Sequence, residues 1–360
     1  MKICVYAICK NEEKFVDSWL ESMQEADSIC VLDTGSTDGT VERLKKHKKV
    51  TVAIKEFTPW RFDNARNESM KLIPSDTDFC VCTDLDERFD PGWRERLEKG
   101  LSPLTKQVRY RYTWSHDENG NEGVVFYADK IHSYGDFVWV HPVHEVLSYK
   151  GKQPYFSTLI KDVHLQHYPD AKKSRGQYLP LLKLSVEEDP TNDRNMHYLG
   201  REYFFHGEYE NAIETLQKHL NLPSATWAEE RSASLRYMAK SQHALSRDDE
   251  AERSFKQAIL TWPSSREGYY DLGCFYYDKG DFLNAALTLE VMQNISHRQL
   301  SYISNPECWS GTVNDLLSIC YHNLGDRKKA LENCKKAHQA FPNNTRISKN
   351  LNYFLHKEEP

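Results

Sequence analysis

Three carboxylates follow a short apolar run in the first third of the chain. The run at positions 79–83 predicts a buried strand, and Asp84, Asp86 and Glu87 come directly after it. Side chains at the carboxyl end of a strand can converge on one hard cation, which takes oxygen ligands and can bridge to phosphate. The alternative is a solvated acidic loop. A metal-binding role therefore requires that the rest of the chain supplies a nucleotide-diphosphate site.

The segments before these carboxylates have the pattern of an open α/β sheet. Positions 2–8 and 28–32 predict strands, each followed by a loop and a helix. The second strand ends at Asp33, and small, turn-forming residues at 34–40 follow it. In an open parallel sheet, a loop at the carboxyl end of a strand forms part of a ligand crevice. Asp33 could accept hydrogen bonds from a base or a ribose hydroxyl, or the loop could be a purely structural turn.

A second polar segment precedes the predicted strand at 79–83. Positions 50–54 predict the third strand, and a helix is expected to begin near Arg66 and Asn67. A helix start combined with an arginine favours an anion such as a diphosphate. The alternative is that Arg66 pairs with Asp63 and that Asn67 caps the helix.

Four segments, in this order, resemble the family 2 glycosyltransferases of GT-A fold. The separations between the segments match the family pattern as well as the residues do. The segments are Lys10-Asn11-Glu12-Glu13, Val31-Leu32-Asp33-Thr34-Gly35-Ser36-Thr37-Asp38-Gly39-Thr40, Ala65-Arg66-Asn67 and Asp84-Leu85-Asp86. The resemblance implies an α/β GT-A domain that binds a UDP-sugar, with UDP-glucose and UDP-N-acetylglucosamine as the first choices, together with Mg²⁺ or Mn²⁺.

The same resemblance implies roles for individual residues. Asp86 is expected to contact the metal directly, and Asp84 is expected to contact the ribose or to act through a water molecule. One departure from the commoner family pattern is Thr34, where many members carry a second aspartate. The residues with an implied role in donor binding are Asp33 at the uridine, Arg66 and Asn67 bordering the donor, and Asp84 and Asp86 at the metal and diphosphate.

The chain from 107 to 170 is predicted to complete this domain with antiparallel strands. Positions 107–114 and 124–128 alternate like strands on either side of a hairpin turn. The stretches 139–145 and 167–170 resemble a subgroup of these transferases with tetratricopeptide tails. The best-known members of that subgroup are the peptide S-glycosyltransferases of bacteriocin biosynthesis.

This second resemblance implies a base and a further metal ligand. Glu145 is the candidate general base, because its segment lies where other family 2 enzymes place their catalytic carboxylate. His167 is the candidate histidine that completes the metal site, and His144 is its rival. The basic residues Lys172, Lys173 and Arg175 could close over the phosphates or begin a solvated helix.

From about position 177 the apolar period becomes helical, and a repeat appears. Three copies fit the tetratricopeptide signature and a fourth is weaker, which predicts four helix pairs in an all-α solenoid. Prolines at 223, 263 and 342 close their units, and an insertion around 297–309 interrupts the last spacing. The solenoid could bind a peptide, buttress the first domain, or mediate formation of a homodimer.

Composition limits the classes of function. The net charge of −6 over 360 residues argues against non-specific attraction of the whole surface to nucleic acid or anionic lipid. Nine cysteines without a regular framework favour a reducing, cytoplasmic location. The amino terminus runs directly into a predicted strand, without a signal peptide, and no apolar run is long enough to predict a membrane span.

Together these observations predict a GT-A domain at 1–176 and a tetratricopeptide-like domain at 177–360. The predicted function is metal-dependent, inverting transfer of a sugar, of hexosyltransferase type, from a UDP-sugar to an acceptor such as a peptide or protein side chain. The alternative acceptors are a glycan, a lipid-linked saccharide or a modified nucleic-acid base. In a different class, the chain could be a non-catalytic repeat scaffold with a degenerate transferase domain.

Overall fold

The computed structural model describes residues 1–170 and 176–356, which divide into two compact units. The first unit contains Met1–Glu188 together with Leu300–Tyr302, and the second contains Asp189–Gln299 and the chain from Ile303 onward. The helix Tyr178–Glu188 therefore groups with the first unit, whereas the sequence placed the domain boundary at 176/177. The basic residues Lys172, Lys173 and Arg175 lie outside the described residues.

The first unit is built on an eight-stranded mixed sheet and a separate two-stranded ribbon. Strands β3, β2, β1 and β4 lie side by side in parallel, and the sheet continues in the order β7, β6, β10, β5. The strands are β1 (Ile3–Cys9), β2 (Ser28–Asp33), β3 (Val50–Ile54), β4 (Phe79–Cys82), β5 (Glu87–Phe89), β6 (Thr105–Thr113), β7 (Val125–Ser133), β8 (Phe137–Val140), β9 (Val146–Tyr149) and β10 (Phe156–His167).

The second half of the sheet is only partly antiparallel. Strand β7 pairs antiparallel with both β4 and β6, as the hairpin pattern predicted. Strand β10, however, pairs parallel with β6 and antiparallel with the short strand β5. The expectation of a wholly antiparallel second half was therefore wrong for β10, because its partner is set by long-range pairing that local alternation does not encode.

Helices cover the sheet of the first unit. Every residue of β1 is buried, as expected for a central strand covered on both faces. Trp19 of the first helix is fully buried, and its indole Nε1 donates to Thr83 Oγ1 at 3.1 Å, directly beyond β4. The helices are α1 (Val16–Met23), α2 (Thr40–Lys45), α3 (Phe62–Met70), α4 (Trp93–Gly100) and α5 (Tyr178–Glu188).

Helix α3 begins earlier than the sequence indicated. Arg61 is still extended, and the helix starts at Phe62, whose backbone N–H donates to Pro142 O at 2.9 Å. Arg66 and Asn67 therefore lie in the second turn, and the expectation that they mark the helix start was wrong. The physical reason is that the backbone partner which orders the first turn comes from a segment far along the chain.

The second unit consists of helical hairpins, which confirms the predicted all-α repeat architecture. Four consecutive pairs are followed by one further helix within the described residues. The helices are α6 (Asp193–Phe205), α7 (Tyr209–Asn221), α8 (Ala228–Ala244), α9 (Asp248–Thr261), α10 (Arg266–Asp278), α11 (Phe282–Gln293), α12 (Thr312–Asn323), α13 (Arg327–Ala340) and α14 (Thr345–His356), with a 3₁₀ helix at Pro306–Trp309 in the insertion.

The four hairpins share the same turn. Each turn has one residue at positive φ, namely Gly207, Ser246, Gly280 or Gly325. In each case this residue and the next donate backbone hydrogen bonds back to the end of the preceding helix, the pattern of a Schellman motif. Five residues later each second helix carries a fully buried alanine, at 212, 251, 285 and 330. Among the described residues, no helix has both the length and the apolar character needed to cross a membrane.

Candidate active site

The first two loops at the carboxyl end of the sheet are fastened to each other. Asn11 Oδ1 accepts the backbone N–H of Thr37 at 2.7 Å, and Asn11 N–H donates to Ser36 Oγ at 2.8 Å. Glu13 repeats the arrangement, since its N–H donates to Asp38 at 3.2 Å and its carboxylate accepts Gly39 N–H at 3.1 Å. These residues belong to two of the four sequence motifs. Their side chains join the loop after β1 to the loop after β2.

Asp33, at the tip of β2, is engaged by its own loop. Its Oδ1 accepts the backbone N–H groups of Gly35 and Ser36 at 3.0 and 2.9 Å. Its Oδ2 accepts from Ser36 Oγ and from Cys9 Sγ, the latter at 3.4 Å. Four donors fill the usual acceptor positions of a carboxylate. The predicted contact with uridine would therefore require the loop to release at least one of these bonds.

Arg66 links two predicted site residues from a buried position on α3. Its Nε donates to Glu145 Oε1, and its Nη2 donates to Asp84 Oδ1 at 3.0 Å. The remaining Nη1 points to Cys82 Sγ at 3.2 Å, and the guanidinium lies over the ring of Trp139 at 5.2 Å. One buried guanidinium thus joins the carboxylate after β4 to the carboxylate predicted to be the base.

Glu145 is presented by a constrained loop. Two non-glycine residues just before it, His141 and His144, have positive φ values of 80° and 50°. Such conformations are costly for non-glycine residues and persist where the surroundings enforce them. The loop follows Trp139, whose backbone N–H and carbonyl are both held by the side-chain amide of Asn67, at 2.9 and 2.8 Å. Asn67 therefore positions the Glu145 loop in this structure.

The start of helix α5 braces the same loop. The ring of Tyr178 stacks on His144 at 5.6 Å and on Phe62 at 6.4 Å. At the other end of α5, Glu188 pairs with Arg61, the residue before α3. His144 therefore contacts the first helix of the region that the sequence assigned to the repeat domain. Of the two histidines proposed for a metal, the one beside Asp86 is His167.

Lys130, on β7, is a half-buried cation of the site that sequence reasoning missed. Its Nζ lies 3.1 Å from Glu87 Oε1 and 3.4 Å from Asp84 Oδ2. Burial alone would lower its pKa, but the adjacent carboxylates outweigh burial, and the pKa of Lys130 is raised. The sequence feature that could have indicated this role is a lysine in the middle of a strand with several apolar residues. The partner strand of β7 could not be inferred from the sequence.

The acidic motif after β4 is divided between two environments. Burial opposes ionisation of Asp84, but the charges of Arg66 and Lys130 outweigh burial, so the pKa of Asp84 is lowered. Glu87 is almost fully buried and accepts from Tyr112 OH at 2.7 Å and from Asp84 N–H at 2.8 Å. Glu87 therefore stabilises the turn that follows β4 through these two hydrogen bonds.

Asp86 faces a histidine instead of an arginine. Its Oδ2 lies 3.4 Å from His167 Nε2, and His167 Nδ1 is 2.9 Å from the carbonyl oxygen of Trp114. A carbonyl can only accept, so Nδ1 carries a proton and Nε2 is the nitrogen available for a ligand. Burial lowers the pKa of His167, but the hydrogen bond and charge of Asp86 outweigh burial, and the net pKa is raised.

These side chains fit a divalent cation in part. An imidazole nitrogen and a carboxylate oxygen face each other at Asp86 and His167, whereas the carboxylate of Asp84 is already paired with two cations. Among the described residues, no group of three or more His, Cys, Asp or Glu side chains is arranged to hold a metal. Mg²⁺ commonly takes one or two carboxylates plus substrate phosphates, so a two-ligand protein site is compatible with it.

Comparison with known proteins agrees with this architecture. Residues 4–125 match the family model for glycosyl transferase family 2. The chain is 30% identical over 112 residues to the lipopolysaccharide core biosynthesis glycosyltransferase LpsC of Rhizobium meliloti (strain 1021). That match covers 31% of this chain and 41% of LpsC, so the chain spans less than half the length of this curated relative. The part of the chain that matches glycosyl transferase family 2 thus lies within the first unit, from the first strand to the start of β7.

Solved helical-repeat structures resemble the chain only distantly. The crystal structure of MamA has a TM-score of 0.39 and 22% identity, covering 51% of this chain and 99% of MamA. A thermophilic tetratricopeptide protein of Thermus thermophilus, TTC0263, has a TM-score of 0.37 and 17% identity, covering 50% of this chain and 91% of that protein. The description of the second unit rests on its own four hairpins.

Proposed function

We propose that this chain is a glycosyltransferase that moves a sugar from a nucleotide-diphosphate sugar to a nucleophilic acceptor. The observation that carries the proposal is the convergence of Asp84, Arg66 and Glu145 in a family 2 domain. A buried arginine bonded to two carboxylates gives a charged cluster at the carboxyl end of β4. In open α/β sheets this edge is where ligands bind.

The proposed donor is a UDP-sugar, UDP-glucose or UDP-N-acetylglucosamine, bound with Mg²⁺ or Mn²⁺. Asp86 and His167 would hold the metal, because their ligand atoms already face each other. When bound, the metal supplies charge to stabilise the departing diphosphate. Arg66 and Lys130 place two further positive charges beside Asp84, where they can act on the same developing charge.

The proposed reaction is a single displacement with inversion at the anomeric carbon. Glu145 Oε1 is held by Arg66, which orients the carboxylate and leaves Oε2 to take the acceptor proton. As that proton moves to Glu145, the acceptor atom bonds to the anomeric carbon. The bond from that carbon to the diphosphate oxygen breaks, and its electron pair leaves with UDP.

Two classes of acceptor have support of different kinds. A saccharide acceptor is favoured by the similarity of the domain to an enzyme named for lipopolysaccharide core biosynthesis. A peptide or protein side chain is favoured by the helical-repeat unit, since solenoid surfaces of this kind commonly bind peptides. We place the saccharide first, because its support comes from the transferase domain itself.

The proposal is tested by UDP release from several UDP-sugars with Mn²⁺, with and without EDTA. For the variant Glu145→Gln we expect UDP binding to persist and transfer to fall by about 10²–10⁴-fold, the usual contribution of a general base. The matched control is Glu188→Gln, which also removes a carboxylate paired with an arginine and should keep transfer near the wild-type rate.

Two results would count against the proposal. Normal turnover by Glu145→Gln would exclude Glu145 as the base. A wild-type chain that neither binds nor hydrolyses any UDP-sugar, in EDTA or in Mn²⁺, would support the scaffold alternative. The variant Asp86→Ala should abolish metal-dependent UDP binding, and retention of that binding would remove Asp86 from the proposed metal site.

A further inference from the structure

Helix α11 of the second unit carries an uncovered apolar stripe. Leu283, Leu287 and Val291 are 55%, 51% and 51% exposed and recur every four residues, so they lie along one face of the helix. The other exposed side chains of this helix, which the structure describes in full, are uncharged as well. Single exposed apolar residues are ordinary, but a continuous ridge of three on one helix marks an interaction surface.

The other three hairpins provide an internal comparison. Counted from the positive-φ residue of each turn, the stripe occupies the third, seventh and eleventh positions. The same positions in the other outer helices are exposed and almost all charged: Glu210, Glu214 and Lys218 in α7, Asp249, Arg253 and Gln257 in α9, and Lys328, Glu332 and Lys336 in α13. The fold therefore does not require apolar residues at these positions. Only the third hairpin departs from the charged pattern.

The one charged side chain of α11 is directed elsewhere. Glu290 accepts from Tyr321 OH on α12, and it lies 3.1 Å from Lys329 Nζ on α13. Its charge is therefore used between neighbouring helices of the same unit. The stripe has no charge of its own, so any partner surface that covers it must be apolar at its centre.

We propose that the α11 stripe is the contact through which two copies of this chain associate about a two-fold axis. At such an axis a residue faces its own copy, so a charged side chain would face an identical charge. Only α11, among the four second helices, presents a ridge that can meet itself without that repulsion. Ridges spaced by four residues pack together at a crossing angle of about −50°, which centres the contact on Leu287.

The size of the stripe sets the expected strength of the contact. A stable interface buries about 800 Å² on each partner, and one helix ridge covers less than that. The dimer should therefore be weak and should dissociate on dilution. It need not take part in the proposed transfer reaction, so sugar-donor binding should be the same in monomer and dimer.

The experiment is sedimentation velocity of the full chain across a concentration series. The wild type should shift from monomer to dimer with rising concentration, and Leu287→Glu should weaken association by at least about tenfold, because the substitution occurs twice in the interface. Folding should be unaffected, since the equivalent positions carry Glu214, Arg253 and Glu332. Arg253→Glu, the same position in the second hairpin, is the matched control and should associate like the wild type.

A charge-swapped pair makes the test specific to self-association. Leu287→Glu and Leu287→Lys should each be monomeric alone and should form a mixed dimer when combined, because opposite charges then face each other across the axis. A dimer that survives Leu287→Glu would overturn the proposal. A wild type that stays monomeric at all concentrations, or a mixture of the two variants that fails to associate, would do the same, and the stripe would then belong to a different partner.

Discussion

Arg66 is the most heavily shared side chain of the candidate site. Its three nitrogens contact Glu145, Asp84 and Cys82, and the residue is only 4% exposed. Removing one partner of a buried charge pair costs about 3–5 kcal/mol, because the other charge is left unpaired. Because Asp84 and Glu145 share this one guanidinium, we expect a ligand that changes the charge at Asp84 to change how firmly Arg66 holds Glu145.

At the scale of single residues, the histidine beside Asp86 should make the proposed metal binding depend on pH. The pKa of His167 is raised above its ordinary value of about 6.5, and a proton on Nε2 excludes a metal from that nitrogen. The affinity for Mn²⁺ in the presence of UDP should therefore increase by up to about tenfold per pH unit from about pH 6 upward, and level off above the raised pKa.

Titration calorimetry at a series of pH values would measure this dependence, and the rival histidine provides the control. His167→Gln should weaken Mn²⁺ binding by about 10–100-fold and remove the rise with pH. His144→Gln should retain that rise, because His144 stacks on Tyr178 away from Asp86. If His144→Gln removed the rise and His167→Gln kept it, the two assignments would be exchanged.

At the scale of secondary-structure elements, sequence patterns located the strands and loops that form the site, but not their contacts. Strand β3 was predicted with its observed bounds, and β2 was predicted to within one residue. The start of α3 was missed, because its first N–H bonds to Pro142, far along the chain. Lys130 was missed for the same reason, since its role depends on which strand lies beside β4.

The turn of the second hairpin differs from the turns of the other three. Ser246 has a φ of 60° at the position where the other three hairpins have glycine. A left-handed conformation costs a side-chain-bearing residue about 1 kcal/mol relative to glycine. Ser246→Gly should therefore raise the free energy of unfolding of the second unit by about 0.5–1 kcal/mol, measured by urea denaturation with the helical circular dichroism signal.

The third hairpin offers the reverse substitution as a control. A Cβ added at Gly280 would meet no atom within 4 Å, so Gly280→Ala tests the backbone conformation without a steric clash. This variant should lower the free energy of unfolding by about 1 kcal/mol. Equal stability of Ser246→Gly and the wild type would show that the serine side chain compensates for its conformation.

At the scale of the whole molecule, each of the two units has a buried, neutral histidine. His132 in the first unit accepts from Tyr6 OH at 2.9 Å, and burial lowers its pKa to about 4. His197 in the second unit contacts Ser234 Oγ at 2.7 Å, and burial lowers its pKa to about 3. In the unfolded chain both would titrate near about 6.5, so acid favours the unfolded state of each unit.

Both units should therefore lose stability as the pH falls from about 6.5 toward these lowered pKa values. Each histidine contributes up to about 1.4 kcal/mol per pH unit over that range, since only the unfolded state takes up the proton. Hydrogen exchange with mass spectrometry would follow the units separately. His197→Asn should flatten the dependence in peptides from the second unit only, and flattening in both units would show that they unfold together.

The hydrogen bonds between the loops after β1 and β2 give the first two sequence motifs of this domain a structural role. Asn11, Glu13, Ser36 and Asp38 direct hydrogen-bonding groups toward each other's loops, and Asp33 satisfies its own turn. We therefore expect these residues to stabilise the two loops whether or not a relative has the proposed activity. Under the proposed function, loss of activity should instead appear first as substitutions at Glu145, Asp86 and His167, the three positions proposed to act as base and metal ligands.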